Sequence, residues 1–114
     1  MKDFSDLWVL QHDFAFEGPM LSAALSETFA RRERTIPADV PVGLSTEWAG
    51  AASQERSWRG FLRRSALEPP ENAFADVVDR LQTFLLPPAG AARERTPFDE
   101  HWPAGGPAWK PGER

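Results

Sequence analysis

FADVVDRLQTFLLPP, residues 74–88, carries the most regular hydrophobic period in the chain. Phe74, Val77, Val78, Leu81, Phe84 and Leu85 recur at spacings of three and four, the repeat that lines side chains along one face of an α-helix. The pair Pro87–Pro88 is predicted to interrupt that helix, because proline has no amide hydrogen and its ring crowds the preceding turn. AGAARER, residues 89–95, then adds a last turn or two. An apolar stripe this sustained needs other helices to cover it, and the segment therefore points to a bundle.

Upstream of it, LEPPEN (67–72) stops one helix and starts the next, since a proline pair is tolerated in a first turn and not inside a helix. A helix over about Gln54–Arg64 presents Trp58, Phe61 and Leu62, with Arg56, Arg59, Arg63 and Arg64 around that stripe. Before it, Ser45 or Thr46 caps a short helical turn through Trp48. TIPADVPVGL (35–44) has two prolines and a glycine but no alternation, and reads as a connector lying over what precedes it. That is predicted to be a helical hairpin. Phe4, Leu7, Trp8 and Phe14 share a face over residues 2 to about 14, Gly18 breaks the helix, and Pro19 opens a second one to about Arg32 through Met20, Leu21, Ala24, Leu25, Thr28 and Phe29.

Downstream, TPFDEHWPAGGPAWKPGER (96–114) is too rich in proline and glycine for regular structure. Its Phe98, Trp102 and Trp109 stabilise only when buried, at roughly 25 cal/mol per Å² removed from water, and the tail should pack back on the helices. The last few residues should be loose. No strand signal, internal repeat or heptad stands out. The expectation is an all-α fold, a small bundle of about four helices in a single domain over 1–114, helical to residue 95 and irregular over 96–114.

The length of 114 residues suits one domain, with 41% apolar residues to fill a core and 11 prolines and 8 glycines to cut the chain into short elements. Cysteine is absent, which excludes disulfides, thiolate catalysis and Cys-based zinc sites and favours a cytoplasmic home. No apolar run approaches the roughly 20 residues of a membrane span, and the charged start does not resemble a signal peptide, so no membrane partner is expected. The net charge of −4 argues against the broad basic field of an autonomous nucleic-acid binder. Two local basic clusters remain: Arg31, Arg32 and Arg34 in ARRER, and Arg59, Arg63 and Arg64 in WRGFLRR.

The chain opens KDFSDLW, residues 2–8. On a helix Lys2 and Asp6 are four apart and Asp3 and Asp6 three apart, so the three side chains can converge on one flank. Acidic groups favour a helix N-terminus and Lys–Asp pairs at this spacing are common on solvated surfaces, which explains the pattern without chemistry. The functional alternative is phosphoryl or nucleotidyl transfer, in which a lysine offsets triphosphate charge and carboxylates orient a nucleotide or an attacking hydroxyl. The chain supplies only part of such a site. It has no D-x-D or D-x-E pair, no phosphate loop, no G-x-G-x-x-G and no H-E-x-x-H.

His12 and His101, the two histidines, each sit beside acidic residues, but a metal centre needs at least three good ligands and no metal site is expected from them. No nucleophile elbow supports a Ser/His/Asp triad. The arginine clusters suit either a solvated helix face or contact with RNA phosphates, for which Arg59, Arg63 and Arg64 are the candidates. Trp8, Trp48, Trp58, Trp102 and Trp109 fall within apolar stripes, which favours packing over base stacking.

KDFSDLWVLQHDFAFEGPMLSAALSETFARR (2–32), WRGFLRRSALE (58–68), ADVVDRLQTFLLPP (75–88) and PFDEHWPAGGPAW (97–109) together resemble the AbiEii/AbiGii family of nucleotidyltransferase toxins, in which a segment close to K-D-x-x-D-L-W opens a helix. The likeness covers nearly the whole chain. It implies the helical C-terminal part of a two-part protein, whose N-terminal lobe carries a Gly-Ser motif and metal-binding carboxylates on a sheet. Carried over by position, Lys2 would face the triphosphate, and Asp3 or Asp6 would orient the nucleotide or the acceptor. Ser5 stands where the family often has an aromatic or bulky residue.

The family reaction implied is nucleotide transfer from a nucleoside triphosphate with Mg²⁺ to an acceptor, tRNA ends among relatives, by a bacterial toxin paired with an antitoxin in abortive infection. Without the other lobe's motifs, this chain is expected to be catalytically incomplete and to bind neither Mg²⁺ nor nucleotide tightly. Its start on the motif suggests a truncated frame or an excised piece. An apolar face on the first helix that once packed on a sheet would favour self-association. The rival reading is a standalone helical interaction module that binds a partner through the basic flank of the third helix or the tail tryptophans. A small nucleic-acid-binding regulator is disfavoured by the acidic balance.

Overall fold

The structure, a computed structural model, describes residues 2–37, 39–41, 44–65 and 74–111. In chain order the elements are α1 (Lys2–Asp13), β1 (Phe16–Glu17), α2 (Gly18–Arg31), α3 (Thr46–Ala49), α4 (Ala52–Ser65), α5 (Phe74–Glu94), β2 (Glu100–Trp102) and β3 (Lys110–Pro111). The helices predicted over 2–14, 19–32 and 54–64 are present within two residues of those bounds. Ser45 caps α3, its Oγ accepting from the Trp48 amide at 3.3 Å. The stop and restart expected at LEPPEN, and the chain end from Gly112, lie outside the described residues.

Three expectations change. First, α5 is not interrupted at Pro87–Pro88 but runs through both prolines to Glu94. Each proline removes one amide donor from the helical ladder, leaving the carbonyls of Thr83 and Phe84 without their partners. Thr83 lies on the exposed side of the helix, where water can serve its carbonyl. The Phe84 carbonyl accepts instead from Trp109 Nε1 at 3.0 Å, so the returning tail supplies the donor that Pro88 lacks. Ser22 Oγ donates to the Pro88 carbonyl at 3.1 Å and ties α2 to the same turn.

Second, the fold is mostly helical but not all-α. β1, β2 and β3 form a three-stranded antiparallel sheet in that order. Phe16 pairs with Trp102 and Glu17 with His101, then Glu100 with Pro111 and His101 with Lys110. Strands of two or three residues are too short to show alternation, and they form only because the tail returns beside the α1–α2 junction. Third, the first two helices do not make a hairpin resting on itself. α1 and α2 each pack chiefly on α5, and the link between them is the sheet's first strand.

α5 therefore organises two aromatic cores, one on each half. Around its N-terminal half, Phe74, Val77, Val78 and Leu81 are buried with Trp58, Leu62 and Ala49, and Phe4, Leu7, Trp8 and Trp48 close the edge. Around its C-terminal half, Phe84 meets Phe16, Trp102 and Trp109 at ring-centroid distances of 5.2, 5.0 and 6.0 Å. Phe98 packs edge-on against Trp109 at 4.9 Å. The tail tryptophans pack back as their burial energy requires, Trp102 completely. Ile36 is the buried anchor of the connector.

Candidate functional site

α1 turns Phe4, Leu7, Trp8 and Gln11 toward the core. At 100° per residue this leaves Lys2, Asp3, Asp6, Val9 and Leu10 on the outward face. Lys2 Nζ donates to Asp6 Oδ2 at 3.1 Å, with 81% and 58% of the two side chains exposed. Such a pair adds little stability, since both groups keep most of their water. Asp3 is exposed one turn away. The three residues singled out for triphosphate chemistry are thus brought onto one solvent-facing surface, where Lys2 keeps two of its three N–H donors beyond the bond to Asp6. Ser5 is buried beside them, so its small side chain fits the α1 packing.

Asp6 is held by the Lys2 ammonium group and Asp3 faces water. Among the described residues no three His, Cys, Asp or Glu side chains converge on a metal-ion position. His12 Nδ1 lies 2.7 Å from Asp13 Oδ1 on the surface. His101 sits in β2 between Glu17 and Lys110.

The α4 arginines divide by role. Arg59 Nε donates to Glu55 Oε1 at 2.9 Å, and Glu55 Oε2 accepts from the Phe74 amide at 2.7 Å. Burial by itself would raise the Glu55 carboxyl. The Phe74 amide, then the hydrogen bond and charge of Arg59, outweigh it and hold the group below its ordinary value. Glu55 is therefore an ionised cap on the N-terminus of α5, supplied from another helix, and Arg59 serves that cap. Arg63 and Arg64 fold over Gly60, where an added Cβ would lie 3.0 Å from Arg64 Nη1 and 4.0 Å from Arg63 Nη2. Neither makes an ion pair among the described residues. No hydrogen bond or ion pair joins this group to Lys2, Asp3 or Asp6.

Sequence reasoning missed the knot that fixes α1. The Gln11 carbonyl, in the last turn of the helix, accepts from Trp102 Nε1 and from the Gly105 amide, each at 2.9 Å. Gly105 adopts φ +85°, open to glycine and strained for other residues. Arg80 Nη1 donates to the Gly105 carbonyl at 2.7 Å while its guanidinium lies 6.0 Å from the Trp8 ring centre. The adjacent glycines of WPAGGP were the available signal, but a turn motif names no partner. Two open clefts, of about 450 and 390 Å³, flank the second half of α5, away from the Lys2 face. Comparison with known proteins finds no family model that matches the chain, no similar curated protein and no similar solved structure.

Proposed function

We propose that the chain is the helical part of an AbiEii-like nucleotidyltransferase toxin, presenting Lys2, Asp3 and Asp6 to a nucleoside triphosphate whose metal is held by a separate lobe. The observation that carries this reading is the outward α1 face. A lysine and two aspartates lie open to solvent on a helix whose opposite face is anchored in the core, and Val9 and Leu10 beside them are 45% and 40% exposed. Apolar groups next to a charged trio suit a surface completed by a second body. The resemblance through K-D-x-x-D-L-W and the later segments supports the same assignment. In this role Lys2 offsets triphosphate charge and the carboxylates orient nucleotide or acceptor, while transfer itself requires the other lobe. A cytoplasmic bacterial setting and a cognate antitoxin belong to this reading.

The test is a titration with nucleoside triphosphate and Mg²⁺ followed by backbone amide chemical shifts, which register weak binding. Saturable shifts confined to the first turns of α1 are expected, lost in Lys2→Ala. Absence of shifts, or shifts that persist in Lys2→Ala, would defeat the assignment.

The rival reading, an interaction module, is favoured by Arg63 and Arg64, exposed at the end of α4 and without an ion-pair partner among the described residues. Under it, charge reversal at these positions abolishes partner capture and Lys2→Ala does not.

A further inference from the structure

The C-terminal ends of α2 and α5 meet at a cleft of about 180 Å³ lined by Ser26, Phe29, Arg34, Thr35, Arg93 and Arg95, with no acidic residue in its wall. Arginines at helix ends have an ordinary explanation, the attraction of cations to the negative end of the helix dipole. That explanation suffices for Arg31 and Arg93, which lie in the last turns and pair with Glu27 and Glu94. It does not suffice for Arg34 and Arg95. Both lie beyond the helical residues, neither makes an ion pair among the described residues, and both reach the same cleft.

The terminal carbonyls there are also occupied. The amides of Glu33 and Arg34 bond back to Ala30 and Phe29, and those of Arg95 and Thr96 to Ala92 and Ala91, at 3.0 to 3.3 Å. Closed in this way, the two helix ends offer few free acceptors to repel an anion, while guanidinium forks and two hydroxyls offer donors.

We propose that this cleft seats a backbone phosphate of a nucleic acid, with Arg34 and Arg95 as its principal contacts. Size selects the ligand. Pockets that enclose whole small ligands run to roughly 300–1,000 Å³, so this cleft takes a single phosphate with the rest of the molecule outside. Arg31 and Arg32 are exposed at the end of α2 but lie outside the cleft lining, so Arg34 and Arg95 carry the contact. A chain with a net charge of −4 repels polyanions elsewhere, so binding is local and falls steeply with salt. The proposal does not rest on the transferase reading, which concerns the outward face of α1, and no α1 residue lines this cleft.

The test is fluorescence anisotropy of a labelled single-stranded RNA oligonucleotide with the full chain at several salt concentrations. Arg95 has φ +56° and Glu33 φ +53°, so glycine at either position suits the backbone. Arg95→Gly removes a cation and Glu33→Gly removes an anion, with the same backbone change. Salt-sensitive binding is expected, weakened about tenfold by Arg95→Gly and again by Arg34→Gln, and undiminished in Glu33→Gly. The proposal is overturned if the RNA does not bind, if the arginine substitutions leave affinity unchanged, if Glu33→Gly weakens binding as much as Arg95→Gly does, or if inorganic phosphate displaces the RNA as readily as unlabelled RNA does.

Discussion

Trp109 Nε1 donates to the Phe84 carbonyl at 3.0 Å, the acceptor that Pro88 leaves without a helical donor. A residue from the irregular tail thus repairs a ladder broken 21 positions earlier, and the repair is why a proline pair sits inside a helix. Trp109→Phe keeps the ring against Phe98 and Trp102 but removes the donor. It is expected to cost about 1–2 kcal/mol in urea unfolding. In a Pro88→Ala background the helical amide is restored, and the same Trp109→Phe change should cost markedly less. Equal costs in both backgrounds would show that the indole N–H does not serve the proline gap.

Glu55 couples stability to pH. Its carboxyl is held below the ordinary value of 4.5 in the folded chain by the Phe74 amide and Arg59. The folded state therefore binds its proton less readily than the unfolded state does. Its contribution is fully present above the unfolded value and is lost as pH falls through the lowered folded value. Glu55→Gln should be less stable than the native chain near neutrality, with the difference shrinking in the acid range. Urea midpoints of both chains across that range measure it, and a difference independent of pH would exclude the ionised cap.

Gly18 and Gly90 make opposite predictions for the same substitution. A Cβ on Gly18 would lie 2.5 Å from the Glu100 carbonyl oxygen and 2.6 Å from that of Phe98, both main-chain atoms. Gly18→Ala is expected to destabilise by about 2–3 kcal/mol by forcing β2 away from the start of α2. A Cβ on Gly90, inside α5, meets nothing within 4 Å. Gly90→Ala should stabilise by up to about 1 kcal/mol through helix propensity alone. Thermal unfolding of the two variants decides both.

Glu33 and Arg95 are non-glycine residues with positive φ, each just past the end of a long helix. Glycine there removes a steric cost of about 1–2 kcal/mol per residue, part of which is lost again to the greater freedom of the unfolded chain. Glu33→Gly and Arg95→Gly are each expected to raise the unfolding midpoint modestly. A loss of stability in either would mean that its side chain contributes more than its backbone costs.

The sequence by itself located the helices and the inward faces of α1 and α5, but not that of α2, where Gly18 and Ser22 are buried and Met20 is 73% exposed; Phe14, expected on the α1 face, is 54% exposed. The three- and four-residue spacing of Phe74 through Leu85 and of Phe4 through Trp8 is a local property, set by helical geometry within each segment. It likewise placed Lys2, Asp3 and Asp6 on one flank, because that requires only a helix. Ser45 could be read as a cap for the same reason.

What spans long separations was decided by the tertiary structure alone. Pro87–Pro88 reads locally as an interruption, and only the return of Trp109 makes the helix continuous. The three short strands have no signal of their own, because two or three residues cannot show a period, and the first of them exists through pairing with chain positions about 85 residues away. The arginine groups show the same limit. Arg59 could be read as a solvated or a phosphate-contacting arginine, and only the packed chain shows that its partner Glu55 also caps the N-terminus of α5; Arg34 and Arg95 became neighbours only when two helix ends met. Local periodicity fixes what each segment is, but which donor finds which acceptor depends on the packed chain, where a buried carbonyl without a partner is too costly to leave open.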